Sequence, residues 1–230
     1  MSERIKAAWR YDGSVDRFPL KPGQLWACGL GRVMVNDLYD GLPDFMTEAD
    51  CVFVDPPYNA ALENGFRSKA NLARNPHGFD KFLHALFARI DRIAPATCYV
   101  EIGKQHVQEV TGELRARFAF VDTYPATYYK RNPCFVVRGG AEPSPADYSG
   151  LDEQDIIVQI CQRERYATIA DLCMGRGAVG IAAYQAGRPF CGVELNPARL
   201  AVLVNRIHQL GGAWSVDGVP YQPPPEGAAA

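Results

Sequence analysis

The sequence predicts an α/β domain, with helices on both faces of a mainly parallel sheet. Three observations predict it. Short apolar runs alternate with helically spaced segments along most of the chain. One such run, Val52-Phe53-Val54, stops at Asp55-Pro56-Pro57-Tyr58. Another, Ala167 to Asp171, stops at a glycine turn, Gly175-Arg176-Gly177, and passes into a helical pattern.

Taken in order, residues 1–30 read as irregular, with Asp12-Gly13 and Lys21-Pro22-Gly23 as turn signals. Arg32 to Asp37 reads as a strand ending in an acid, followed by a short helix near Leu38 to Phe45. The β-branched and aromatic run at Val52 to Val54 suits a strand covered on both faces. Pro56 and Pro57 end it, because they lack N–H donors and hold φ near about −65°. Residues 59–80 are polar and carry Arg67, Lys69, Arg74, Asn75 and His77, which predicts a mobile basic loop beside the Pro-Pro turn. Phe82, Leu83, Leu86, Phe87 and Ile90 are spaced as one face of a helix over 79–93, closed by Ala94-Pro95. A strand at Thr97 to Ile102, a helix at Gln105 to Arg117 and a strand at Phe118 to Val121 follow.

Tyr124 to Pro133 sets three tyrosines beside Lys130 and Arg131. Residues 139–152 read as a Gly/Pro/Ser-rich surface loop and Asp155 to Arg163 as a helix. The helix after the glycine turn runs from Ala178 to Gln185, and Pro189 to Glu194 is a further strand ending in an acid. Asn196-Pro197 supplies an N-cap and an N1 proline for a helix over Ala198 to Gln209. One domain over 1–219 and a disordered tail over 220–230, with Pro223-Pro224-Pro225, complete the reading.

Composition narrows the partners. Lys plus Arg of 24 against Asp plus Glu of 26 gives a net charge of −2, so any surface for a polyanion must be local. Seven cysteines without a Cys-x-x-Cys pair, and no His spacing suited to zinc, read as reduced core thiols with no metal site. No apolar run approaches the roughly 20 residues of a membrane span, and the start lacks an apolar signal region. A cytoplasmic protein is expected.

At the end of the Val52 strand, an acid, a prolyl carbonyl and an aromatic ring are fixed together. The Asp55 carboxylate and the Pro56 carbonyl can each accept one N–H of a planar amine, while the Tyr58 ring, rather than its hydroxyl, stacks on the heterocycle. Accepting both hydrogens favours a pyramidal nitrogen whose lone pair is free to attack. Gly175 and Gly177 allow close approach of a ligand to the helix N-terminus, and Glu194 is placed to accept bonds from ribose hydroxyls.

Asp55-Pro56-Pro57-Tyr58 resembles the signature of the amino-methyltransferases that use S-adenosylmethionine. Asp171 to Gly177 followed by Gly192-Val193-Glu194-Leu195-Asn196-Pro197 is similar to their cofactor motifs. The family usually has Pro and Phe where this chain has Leu172 and Cys173, and Ser or Thr where it has Arg176. The resemblance implies a Rossmann-like class I methyltransferase fold, circularly permuted so that the catalytic motif precedes the cofactor motif. It implies catalysis by Asp55, Pro56, Pro57 and Tyr58, and cofactor contacts from Asp37, Asp55, Asp171, Met174, Gly175, Gly177, Glu194 and Asn196. A helix N-cap accounts for Asp37 equally well. Arg176 either pairs with the cofactor carboxylate or faces solvent. Tyr128 or Tyr129, with Lys130, Arg67 and Lys69, would hold the base and its phosphates; a plain strand edge accounts for the tyrosines equally well.

The implied activity is methylation of an exocyclic amine in double-stranded DNA by direct transfer to a flipped-out base, N6 of adenine ahead of N4 of cytosine. RNA or protein-amide methylation, a non-catalytic binding subunit and a nucleotide-binding oxidoreductase are the rival readings. A homodimer is left open.

Overall fold

The computed structural model describes residues 13–225; the expected irregular start over 1–12 and disordered end over 226–230 lie outside the described residues. In chain order the strands are β1 (Trp26–Ala27), β2 (Gly31–Val35), β3 (Cys51–Val54), β4 (Thr97–Ile102), β5 (Phe120–Tyr128), β6 (Asn132–Gly140), β7 (Ile169–Asp171), β8 (Phe190–Glu194), β9 (Ser215–Val216) and β10 (Val219–Pro220). The helices are α1 (Ser14–Arg17), α2 (Ala60–Lys69), α3 (Phe79–Ile93), α4 (Val107–Arg115), α5 (Glu153–Arg163), α6 (Ala178–Gln185) and α7 (Pro197–Gln209), with a 3-10 turn over Asp44–Glu48.

The strands form one sheet in the order β10-β9-β1-β2-β8-β7-β3-β4-β6-β5. Its centre, from β2 to β4, is parallel; β6 runs antiparallel to β4 and β5, and β1 antiparallel to β2 and β9. Every residue of β3 and β8 is buried, as an unbroken apolar run requires when both faces are covered. The period of two divides them: Phe53 packs with Tyr99, Phe190 and Leu203 on one face, while Val52 and Val54 pack with Val100, Leu86 and Phe87 on the other. On α3, seven apolar side chains from Phe79 to Ile93 form the buried stripe.

Four expectations are corrected. The segment over 59–80 is not a loop throughout: Asn59 accepts a bond from Leu62 N (3.0 Å) and starts α2, whose Glu63 is buried. Over 38–43 a turn replaces the helix and only a 3-10 turn follows from Asp44, because Asp37 Oδ1 accepts from Tyr39 N (3.1 Å) and Asn36 Nδ2 donates to the carbonyls of Asp37 and Gly41. Gly139 and Gly140 belong to β6, not to a loop, since a Cβ on Gly139 would lie 2.4 Å from the Phe118 ring that covers it. The start of the expected tail is packed: Val219–Pro220 pairs with β9, and Tyr221 packs on Trp26 (4.7 Å between centroids) and bonds Arg17 O (2.8 Å). Val216, Val219 and Tyr221 are too short a pattern to outweigh three consecutive prolines in sequence.

Candidate active site

Because β2, β8, β7, β3 and β4 are parallel, their C-terminal ends share one edge of the sheet, the edge where open α/β sheets hold ligands. The residues that follow them line a cavity of about 320 Å³: Asn36 and Asp37 after β2, Asp55 to Tyr58 after β3, Leu172 and Cys173 after β7, and Glu194 with Leu195 at β8. Helix α2 closes one side through Leu62, Glu63, Phe66 and Arg67, and Tyr128 and Tyr129 of the β5–β6 hairpin close another.

The Tyr58 ring is fixed from three directions. Its hydroxyl donates to the Glu101 carboxylate, its ring lies against Gly103, where a Cβ would come within 3.2 Å, and Tyr128 stands edge-on at 6.4 Å. Tyr128 and Tyr129 are themselves 4.0 Å apart between centroids. Tyr129 and Lys130 have φ of 52° and 61°, a conformation bulky residues rarely adopt. Asp152 holds it, accepting from Lys130 N (2.5 Å) and Thr127 Oγ1 (3.2 Å). Tyr129 is left 60% exposed at the cavity mouth.

On the opposite wall Gly175 and Gly177 have φ of 55° and 85°, and a Cβ on Gly177 would come within 2.4 Å of Leu203. Glu194 Oε2 accepts from Gly175 N (2.6 Å) and Oε1 from Asn196 N (2.9 Å). A carboxylate has about four acceptor positions, so this leaves Glu194 capacity toward the cavity.

The structure thus brings Asp37, Asp55, Pro56, Pro57, Tyr58, Arg67, Tyr128, Tyr129 and Glu194 to one cavity. Asp171, Met174, Gly175, Gly177 and Asn196 stand behind its wall. Asp171 accepts from Cys173 N (2.9 Å), and its burial pushes the carboxyl well up from the usual range. Met174 fills the space a Gly192 Cβ would take, and Asn196 caps α7 through Ala198 N (2.9 Å). Lys69 and Lys130 are exposed outside the lining. Arg67 does not reach outward for phosphate as expected: it pairs with Asp37 at 2.8 Å and donates to Ala73 O at 2.7 Å.

Arg199 was not foreseen. It lies over the Phe66 ring at 4.6 Å, with Nη2 2.7 Å from where a Gly175 Cβ would be, and its buried Nε finds no hydrogen-bond partner among the described residues. Its charge faces Asp55. The available signal was its place in the first turn of α7, three residues after the N-cap.

Behind Asp55, carboxylate oxygens of Asp55, Glu101 and Glu153 lie within 4.8 Å of one another. Burial is the largest cause pushing all three carboxyls up, Asp55 to about 7, Glu153 to about 8 and Glu101 to about 9, and the Asp55 charge adds to the last two. Neither Glu was singled out from sequence.

No known protein-family profile matches the sequence. No curated protein matches it either. Solved structures do. A crystal structure of an M1.HpyAVI–SAM complex is 14% identical with a TM-score of 0.56, covering 77% of this chain and 99% of that one. A putative DNA modification methylase from Thermus thermophilus, TTHA0409, complexed with S-adenosyl-L-methionine, is 13% identical with a TM-score of 0.56, covering 83% and 96%. The cytosine-N4-specific PvuII DNA methyltransferase is 11% identical with a TM-score of 0.50, covering 77% and 86%. At such identities the likeness establishes the fold: this chain has the α/β fold of those methyltransferase structures. Among the described residues no helix is long and apolar enough to cross a membrane.

Proposed function

We propose that the chain methylates an exocyclic amine in DNA with S-adenosylmethionine as donor, N6 of adenine ahead of N4 of cytosine. The observation that carries this reading is Asp55-Pro56-Pro57-Tyr58 at the end of a central parallel strand, opening into the same cavity as Glu194 and adjoining the glycine turn. The printed names of the similar structures support it, two of them naming the donor. The N4-cytosine reading is favoured by one of them. The order of the motifs in the chain, with β3 before β7, supports a permuted arrangement.

The cavity's donor set fits the cofactor. Glu194 would accept from the ribose hydroxyls, the backbone at Gly175 would let the amino-acid end approach, and the Arg199 guanidinium, with its orphaned Nε, would face the carboxylate there. When bound, the cofactor supplies an activated methyl group. The chain's own residues do the rest. Asp55 and the Pro56 carbonyl accept the amine hydrogens, Tyr58 and Tyr128 hold the extruded ring, and Asp55 is placed to receive the proton the nitrogen sheds. Flipping costs a few kcal/mol, offset by stacking worth about 1–3 kcal/mol per base.

The test is incubation with tritiated donor and unmethylated duplex DNA, followed by digestion to nucleosides. Label in N6-methyladenine is expected. Label in N4-methylcytosine would select the second reading, and no label in DNA overturns both.

A further inference from the structure

The trio behind Asp55 has geometry that the amine-binding turn does not require. Glu101 lies in β4 and is fully buried; Glu153 opens α5 and is 6% exposed. Glu101 Oε1 accepts the Tyr58 hydroxyl, but Glu101 Oε2 and Glu153 Oε2 are buried with no hydrogen-bond partner among the described residues. An ionised carboxylate left so would be among the costliest buried groups.

Among the described residues, those that face Glu101 and Glu153 supply no counter-charge. Asp55 from the β3 end, Tyr58, Cys134 from β6 and Glu153 face Glu101; Asp55, Asp152, Tyr128 from β5 and Asp171 from β7 face Glu153. The Asp152 carboxylate is engaged by backbone and hydroxyl donors. Arg199 faces Asp55, which also opens onto the cavity. Three carboxyls this close resist ionising together, and a charge among them is held at least cost where the cation and the opening are.

We propose that Glu101 and Glu153 are positioning residues that stand behind Asp55 as neutral carboxylic acids, leaving Asp55 as the ionised member that receives the proton from the target amine. In that step an N–H bond of the methylated nitrogen breaks and an O–H bond forms on Asp55, with no other group oxidised or reduced. Neutral Glu101 also anchors the Tyr58 phenol without setting a second charge beside the developing cation's acceptor. The catalytic part rests on the methyltransferase reading; the protonation of the acids does not.

The test compares parent, Glu101→Gln, Glu153→Gln and Glu101→Ala by thermal melting from about pH 5 to pH 10, and by labelled methyl transfer over the same range. A buried acid whose folded pKa is raised stabilises below its unfolded value, near 4.3, and that contribution is lost as pH rises through the folded value. The parent should therefore melt progressively lower toward pH 9, while both Gln variants, having no proton to lose, decline less and melt above it there. Transfer should fall roughly tenfold or more in Glu101→Ala and recover in Glu101→Gln, which should also stay active at alkaline pH where the parent fades. Parallel melting curves for parent and Gln variants, or a Gln variant as inactive as Ala, overturn the proposal. So does millimolar magnesium chloride raising the melting point of the parent at pH 8 but not of the Gln variants, since a cation would then hold the trio. If the melting curves diverge as expected while the parent methylates nothing, the protonation stands and the methyltransferase reading falls.

Discussion

At the glycine-turn wall Glu194 is buried and accepts two backbone N–H bonds, whereas at the Asp55 wall Glu101 and Glu153 are also buried and each leaves an oxygen with no partner among the described residues. The first arrangement fixes a carboxylate as part of the architecture: the turn and the acid hold each other. The second keeps acids under tension, where a proton or a substrate hydrogen is the missing partner. On the proposed function, the first wall would bind the donor and the second would react.

Changes at the binding wall test whether its geometry is structural. Gly177→Ala should cost most, about 2–4 kcal/mol, since a left-handed φ and a collision with Leu203 act together. A denaturation midpoint unchanged from the parent would mean that the turn relaxes freely. Glu194→Ala comes next: donor affinity should weaken by about 1.5–3 kcal/mol per lost charged bond, read by calorimetry, with Gly175 N released as well. Unchanged affinity would remove Glu194 from the site.

At the Asp55 wall, Tyr58→Phe should lower stability by about 1–2 kcal/mol, because Glu101 loses the hydrogen bond that the Tyr58 hydroxyl donates to it. The sequence points to the ring alone; the structure makes the hydroxyl matter too, so methyl transfer should fall along with stability. Parent-like transfer and melting would show that the Glu101 contact is idle. The smallest effect concerns DNA. Lys130 and Arg131 are exposed beside the cavity mouth, while Arg67 is tied to Asp37. Neutralising either of the first two should reduce the salt slope of DNA binding by roughly one, and Arg67→Ala should leave the slope in place.

The fold was legible because its signals are local and repeated. β4, α3 and α6 lie at the bounds their sequences set, and β3, β7, β8 and α7 differ by a residue or two, since each has a periodic apolar face or a cap at its end. Helix α2 was not, because Arg67, Lys69 and Glu63 make it polar, and it is fixed by Asn59 and by partners distant in sequence such as Tyr39 and Asp37. The site was legible where a rigid motif carries it, at Asp55 to Tyr58 and Glu194. Glu101, Glu153 and Arg199 were hidden for a common reason: each is an ordinary charged residue in a regular element, and only tertiary packing, which sets β4 beside β3 and brings the first turns of α5 and α7 to that strand end, turns it toward Asp55.

Asp55→Ala measures most directly whether Asp55 serves the chemistry and not the binding of the donor. With a folded variant, donor affinity by calorimetry should stay within a few-fold of the parent, because Glu194 and the glycine turn are intact. Transfer of tritiated methyl to duplex DNA should drop by about 10²–10³, the loss of an acceptor that matters most as charge develops on nitrogen. A well-folded Asp55→Ala protein that methylates DNA at the parent rate would contradict that role.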